Sequence, residues 1–418
     1  MVLAASSGFA QVVYYVDQDV GDDVNNPGTD WGSGNAVASI QKGIDLAYAY
    51  SQANGGVSVE VWVAEGTYYN NARLEGWGFY QPLRSLVLKQ GVHVYGGFKG
   101  DETALSERKA QHYATISGVP DPAGTGTQVA YHTVAVGSQT GSPLHDDVFL
   151  DGFIITGGRA GVPPNAPIVD TDLTDGNDGY HTVRGGGLYI WGAIPRISNC
   201  TFTDNRAHAA GGAIAVERIN GTATANATIY NCLFYGNSTT GIDPDSLPLN
   251  RIGGGALFVD KANPVITNCT ITGNDAGNGQ GGGLLYFDSS LALSNSIVWG
   301  NTATTSNEFD GYLPVGSINA VTVSYTDTEN PGAPGTAYPG VGNIWGNPVF
   351  NNPGAGDFRL YFDGSGGNPD SPCLNAGNPT DPSFTVDLRL APRVYLTGNV
   401  DMGAYEYKAL PVADFDVD

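Results

Sequence analysis

The sequence predicts an all-β fold: a right-handed parallel β-helix of three-strand coils with an N-terminal capping helix. Three observations predict it. The chain carries a four-fold internal repeat, its composition favours strands and turns, and one segment near the N-terminus has helical amphipathic spacing.

The repeat comes first, because self-similarity at tens of residues marks stacked architectures. Four blocks read RGGGLYIWGAIPRISNCTFTDNRA (184–207), AGGAIAVERINGTATANATIYNCLFYGNST (210–239), IGGGALFVDKANPVITNCTITGNDA (252–276) and QGGGLLYFDSSLALSNSIVWGNTA (280–303). Each has a glycine pair or triplet, a short apolar strand, a turn, an Asn-Cys or Asn-Ser pair and a strand ending in Asn. Stacked in parallel, such blocks place Asn199, Asn231, Asn268 and Asn295 at one turn, where amides can bond along the axis. Cys200, Cys232, Cys269 and Ser296 follow and point inward, the cysteines as free buried thiols that act as small hydrophobes. Ile197, Ile229 and Ile266 form one predicted stack, and Phe202, Phe234, Ile271 and Val298 another.

Composition agrees. A chain of 418 residues ordinarily suggests several domains, but a solenoid grows by adding coils that touch only their neighbours. The 60 Gly and 24 Pro imply frequent turns, and the 22 Tyr and 15 Phe suit strands. The net charge of −23 argues against nucleic acid or an anionic membrane as partner. With 18 Lys and Arg in all, little is available to hold an acidic polysaccharide. No run is long enough to insert in a membrane.

Residues 36–50, AVASIQKGIDLAYAY, are the one amphipathic helix, placed to close the open end of the core. Segments 57–63 and 86–98 read as strands, and 148–158 as an earlier half-coil. The domain is expected to span 12–407, with its N-cap at about 12–70, regular coils at about 148–303, and C-terminal coils and cap at 304–407. Residues 1–11 read as the remnant of a signal peptide, which implies export.

The blocks resemble the GGAI and FxxN repeats of the polymorphic outer-membrane proteins: GGAI stands at 211–214, FTDN at 202–205 and FYGN at 234–237. More widely, the chain resembles the pectin-lyase-like right-handed β-helix proteins of secreted bacterial origin. The opening YYVDQDVGDD…VWVAEGTYY (14–69), GGFKGDETALSERKA…ATISG (96–118) and the closing SPCLNAGNP…DLRLAPR…VDMGAYEY (371–407) carry that likeness. DLRLAPR departs from the family's closing motif by lacking a Gly between its Asp and Arg, which leaves Asp387, Arg389 and Arg393 without an assigned role. PVADFDVD, within 408–418, resembles the start of a PKD-type domain. The resemblance implies a secreted or cell-surface module of a longer protein.

Chemistry is expected on the strand after each glycine run. With Leu188, Ile214 and Leu257 inward, the alternation of a strand turns Tyr189, Trp191, Ala215, Glu217, Phe258 and Asp260 outward. Tyr286 and Asp288 continue the row if the fourth coil shifts by one residue. Aromatic rings and carboxylates on one surface suit carbohydrate, through stacking and hydroxyl hydrogen bonds. Glu217 and Asp260, followed by Arg218 and Lys261, are the candidate catalytic groups; a close carboxylate pair suits a retaining glycosidase, a basic side chain beside Ca²⁺-holding carboxylates a lyase. The same residues also read as a solvated charged face. In VDTDLTDGNDGYHTVRG (169–185), Asp170, Asp172, Asp175 and Asp178 with Asn177 are candidate Ca²⁺ ligands or an ordinary turn. His181 and Arg184 beside them read as structural. Three functions stay open: an adhesin or module binding extracellular polysaccharide or a cell-surface glycan, a polysaccharide lyase or glycoside hydrolase, and a self-assembling structural subunit.

Overall fold

The computed structural model describes residues 11–69, 85–120, 122, 129–137, 145–161, 183–218, 225–241, 251–315, 317–363, 369–378, 385–393 and 399–407. The expected signal remnant, apart from Gln11, and the PKD-like start lie outside these residues.

Three long parallel sheets run along the molecule, and the chain crosses them in turn. Sheet 1 holds Leu86–Val87, Val134–Gly137, Leu188–Trp191, Ile214–Glu217, Leu257–Asp260, Leu284–Phe287 and Phe309–Tyr312. Sheet 2 runs from Val13–Val16 through Val59–Ala64, Val92–Phe98, Val148–Asp151, Arg196–Ser198, Thr228–Tyr230, Val265–Thr267 and Leu291–Ser294 to Val321–Ser324. Sheet 3 holds Gly66–Tyr69, Ala114–Ser117, Phe153–Thr156, Thr201–Thr203, Leu233–Tyr235, Thr270–Thr272 and Ile297–Trp299. This is a parallel β-helix, and one hydrophobic core fills its bore.

The predicted stacks are present in register. Ile197 pairs with Ile229 and Ile229 with Ile266; Phe202 pairs with Phe234, whose rings stack at 5.0 Å, and the column continues through Ile271 and Val298. Cys200, Cys232 and Cys269 are free and fully buried among them. The glycine runs exist because adjacent backbones touch: a Cβ on Gly212 would lie 2.2 Å from the Gly255 carbonyl oxygen. The helix spans Ile40–Ala53, with the Ser39 hydroxyl accepting from the Lys42 amide as its N-cap. Its buried Ile40, Ile44 and Ala47 close the N-terminal end of the core.

The two asparagine rows divide the work differently from expectation. Asn199, Asn231, Asn268 and Asn295 do share one turn, each in the left-handed conformation with φ between 49° and 54°. Only one amide-to-amide rung joins them, from Asn231 Nδ2 to Asn199 Oδ1 at 3.2 Å. The continuous ladder is the other row, the Asn that ends each block. Asn205 Nδ2 donates to Asn237 Oδ1 at 3.0 Å, Asn237 to Asn274 at 3.0 Å, and Asn274 to Asn301 at 2.9 Å. Asn301 Nδ2 ends the ladder on Glu308 Oε2 at 2.7 Å.

After Val321–Ser324 the described chain adds no strand to the three sheets. An antiparallel pair, Phe350–Asn352 with Asp357–Leu360, follows. The closing motif then lies along the flank of the coils instead of extending their stack. Its Cys373 and Met402 pack with Leu360 on Ile297, the Gly403 amide bonds the Asn295 carbonyl, and Arg393 Nε bonds Asn231 Oδ1 at 3.1 Å.

Candidate functional site

The strands of sheet 1 present two outward columns to the side of the molecule. The first runs Ala135, Tyr189, Ala215, Phe258 and Leu285; the second runs Gly137, Trp191, Glu217, Asp260, Phe287 and Tyr312. Both point away from the bore, as the alternation requires.

The first column is covered. Tyr189, Ala215, Phe258 and Leu285 form a second small core with Ala210. Arg184, itself fully buried, reaches across it with its guanidinium 4.7 Å from the Phe258 ring centre. His132 stacks on Tyr189 from the preceding coil. Tyr189 and Phe258 were expected to offer open aromatic faces; both are buried, because outward from the bore is not outward to solvent where a second layer packs on the sheet.

Glu217 and Asp260 require the same correction. They are neighbours in the ladder but only 5 % and 7 % exposed. Glu217 accepts the Tyr189 hydroxyl at 2.7 Å and is held by Arg184. The same Arg184 nitrogen lies 3.6 Å from Asp260 Oδ2, and Arg251 lies 3.6 Å from Asp260 Oδ1. Among the described residues, two carboxylates and two arginines thus meet beneath the surface. Burial pushes the Asp260 carboxyl up to about 6, against the pull of Arg184. Burial likewise raises the Tyr189 phenol, and the Glu217 charge adds to it. Arg184 thereby bridges the carboxylates of two neighbouring coils. Arg184 is structural, as expected. Arg218 and Lys261, which follow the two carboxylates, are exposed, and Lys261 sits at a left-handed turn with φ 52°.

The second column is open at its ends. Trp191 is half-buried and stacks with Tyr189 at 5.3 Å. Its indole lies over Gly137, where a Cβ would meet the ring at 2.0 Å. At the other end Phe287 stacks with Tyr312 at 5.4 Å, and the Arg251 guanidinium covers Phe287 at 4.1 Å. Tyr312 is 42 % exposed. Four inter-strand steps of about 4.8 Å separate Trp191 from Tyr312. The rim is therefore aromatic, charged, charged, aromatic, aromatic.

Tyr286 is not in that row. Val259 pairs with Tyr286 and Asp260 with Phe287, so the fourth coil keeps its register and Tyr286 turns inward onto the core. Asp288 falls at the turn beyond the strand, with φ 44°. Phe287, Tyr312 and Arg251 were not picked out from sequence. Counting from the left-handed glycines, Gly254 and Gly281, would have found Phe287, since both precede their first core leucine by three residues. Arg251 had no such signal, because it acts from outside the strand. The candidate calcium ligands Asp170, Asp172, Asp175 and Asp178, with Asn177 and His181, lie outside the described residues.

The closing motif forms a second buried charge cluster. Asp387 accepts two nitrogens of Arg389, at 2.9 and 3.1 Å, and the amides of Arg389, Ala391 and Glu406. Arg393 Nη2 bonds the Gly403 carbonyl at 2.7 Å, and Nη1 lies 3.6 Å from Glu406. These three residues thus fasten the motif to itself and to the coils. The motif at 96–118 is also structural: Glu102 gathers the amides of Lys99, Gly100 and Asp101, and Arg108 pairs with Asp151 of the next coil.

Residues 168–331 match the family model of the right handed beta helix region. That span covers the four repeat blocks, and the parallel sheets continue the same plan on its N-terminal side. The fold is a right-handed parallel β-helix. No curated protein matches the chain.

Proposed function

We propose that this chain is a non-catalytic, extracellular module that holds a polysaccharide along the outward rim of sheet 1. The observation that supports it is the row Trp191, Glu217, Asp260, Phe287 and Tyr312, with part-exposed aromatic rings at its ends and arginine-held carboxylates in its middle. A sugar ring presents an apolar face of C–H groups to an aromatic ring, and its hydroxyls can reach the exposed Arg218 and Lys261. The buried pair is a poor catalytic dyad. Glu217 is buried with one oxygen held by the Arg184 guanidinium and the other by the Tyr189 phenol, which ties it into the protein and shields it from a substrate.

One observation favours the glycosidase alternative. Asp260 at about 6 lies in the range where a carboxyl works as a general acid. The two readings separate in one experiment. A panel of neutral and acidic polysaccharides is screened by affinity electrophoresis, with parallel assays for new reducing ends and unsaturated products. Retardation by at least one glycan without product supports the binding module. Trp191→Ala then weakens that retardation about ten-fold, the equivalent of one good ring contact, in a protein whose urea unfolding stays cooperative although the lost packing on Tyr189 lowers its midpoint. Product formation that Glu217→Gln abolishes would establish the glycosidase instead. No retention across the panel would leave the self-assembling subunit as the better reading.

A further inference from the structure

The closing motif places an odd number of charges under cover. Asp387, Asp401 and Glu406 are all buried, against one buried arginine, Arg393, and one partly exposed, Arg389. The groups are in direct contact. The Asp401 amide donates to Glu406 Oε2 at 3.1 Å, and the Glu406 amide to Asp387 Oδ2 at 3.1 Å. Asp387 is saturated by Arg389 and three amides. Asp401 holds the amides of Asn375 and Tyr407, each at 2.6 Å. Glu406 has the weakest support, one amide and Arg393 Nη1 at 3.6 Å, too long for a hydrogen bond.

The same cluster sits where the motif meets the coils. Arg393 bonds Asn231, Val386 accepts from Asn231 Nδ2 at 2.6 Å, Ala404 donates to Thr270 Oγ1 at 2.9 Å, and Asn378 to Asn295 Oδ1 at 2.7 Å. Among the described residues, the ionisable groups facing it from the packed elements are the thiols Cys269 and Cys373, Asp327 behind Cys373, Tyr405 beside Asp387 and Arg389, and Asp357 with Arg359 beside Arg389 and Tyr405. Arg359 is the one further positive charge among them, and it is neutralised by Asp357 at 2.6 Å.

We propose that the described parts of the closing motif, 371–378, 385–393 and 399–407, form a pH-sensitive clasp, which docks on the flank of the coils with Glu406 protonated and loosens when that proton leaves. With Glu406 neutral, Asp387 and Asp401 balance Arg389 and Arg393. With Glu406 ionised, a surplus negative charge is buried at the joint. Burial and the neighbouring Asp401 push the Glu406 carboxyl up to about 8, so the change falls near neutral pH. The sign follows from linkage. A carboxyl raised on folding contributes its stability below the ordinary glutamate range and loses it as pH climbs through about 8.

The test uses the full chain. Amide exchange of Gly403 and Ala404 is followed at pH 6 and pH 9 and corrected for the intrinsic pH effect, with the core amide of Ile229 as internal reference. The clasp predicts about a hundred-fold loss of protection between pH 6 and pH 9 for the wild type, ten-fold for each pH unit up to about 8 with one proton released per opening, and no loss for Glu406→Gln. Equal protection at both pH values in the wild type would overturn it, as would an equal loss in the variant. Should the variant fail to fold, the Glu406 carboxyl carbon is titrated by NMR in the wild type. A midpoint near 8 supports the clasp, and one near the ordinary glutamate value overturns it.

Discussion

Two rows of asparagines run the length of the regular coils, one at each end of the sheet 3 strands, and they do different work. In the row Asn205, Asn237, Asn274 and Asn301, each amide bonds the next, and each Nδ2 also donates to a carbonyl one coil back. The left-handed turn there belongs to the preceding residue, Asp204 or Gly236, Gly273 and Gly300, so the Asn itself stays out of the left-handed region and its side chain ladders. In the row Asn199, Asn231, Asn268 and Asn295, the Asn itself is left-handed. Asparagine tolerates that conformation better than other side chains. Its amide is then turned to the flank, where Asn231 and Asn295 receive the closing motif. A repeated residue thus marks a repeated backbone position, while its partner decides its job.

Four predictions sharpen the contrast. Asn237→Gly should have the largest effect, a loss of about 4 kcal/mol, since five hydrogen bonds of the buried amide disappear and strand the groups that made them. Urea denaturation measures it, and a loss under 1 kcal/mol would deny the ladder its role. Next comes the acid that ends the ladder. Burial pushes Glu308 up to about 7, so its folded state holds a proton that the unfolded chain releases at lower pH. Its contribution is complete in acid and lost as pH rises through about 7, a change of about 3 kcal/mol. Glu308→Gln should therefore flatten the fall in urea midpoint between pH 4 and pH 8, and an unaltered fall would place the titration elsewhere. Asn231→Gly, which keeps the left-handed backbone and removes the side chain, should lose about 2 kcal/mol and loosen the closing motif first. Asn268→Gly should be smallest, below about 1 kcal/mol, because its buried Oδ1 has no hydrogen bond among the described residues.

Much of this plan was legible in the sequence. The fold, the inward cysteines and the Ile and Phe stacks follow from the period of the repeat, because parallel stacking puts identical residues in contact. The capping helix was legible from its apolar spacing. The site was legible only in part. Alternation correctly turned Tyr189, Glu217, Phe258 and Asp260 away from the bore, but nothing in the strands told of the layer above them. That layer is built by Arg184 and Arg251, whose side chains cross coils from outside the strands. Tyr286 misled for another reason: matching Asp288 to Asp260 by type implied a one-residue shift, and a shift of one reverses every side chain in a strand. The asparagine ladder was assigned to the more conspicuous Asn-Cys turn, since residue type alone does not reveal which Asn carries the left-handed backbone. The closing motif's place on the flank depends on contacts between residues more than a hundred positions apart, such as Asn231 with Arg393, and no local pattern encodes them.

The division of labour between the rows is tested most directly by amide exchange at Gly403 and Ala404 in Asn231→Gly and Asn237→Gly, at a pH where both variants are folded. The account predicts that Asn231→Gly exposes these two amides at least ten-fold while core amides such as Ile229 keep their relative protection, and that Asn237→Gly lowers core and flank protection together. Equal patterns in the two variants, or selective exposure of the flank in Asn237→Gly, would contradict it.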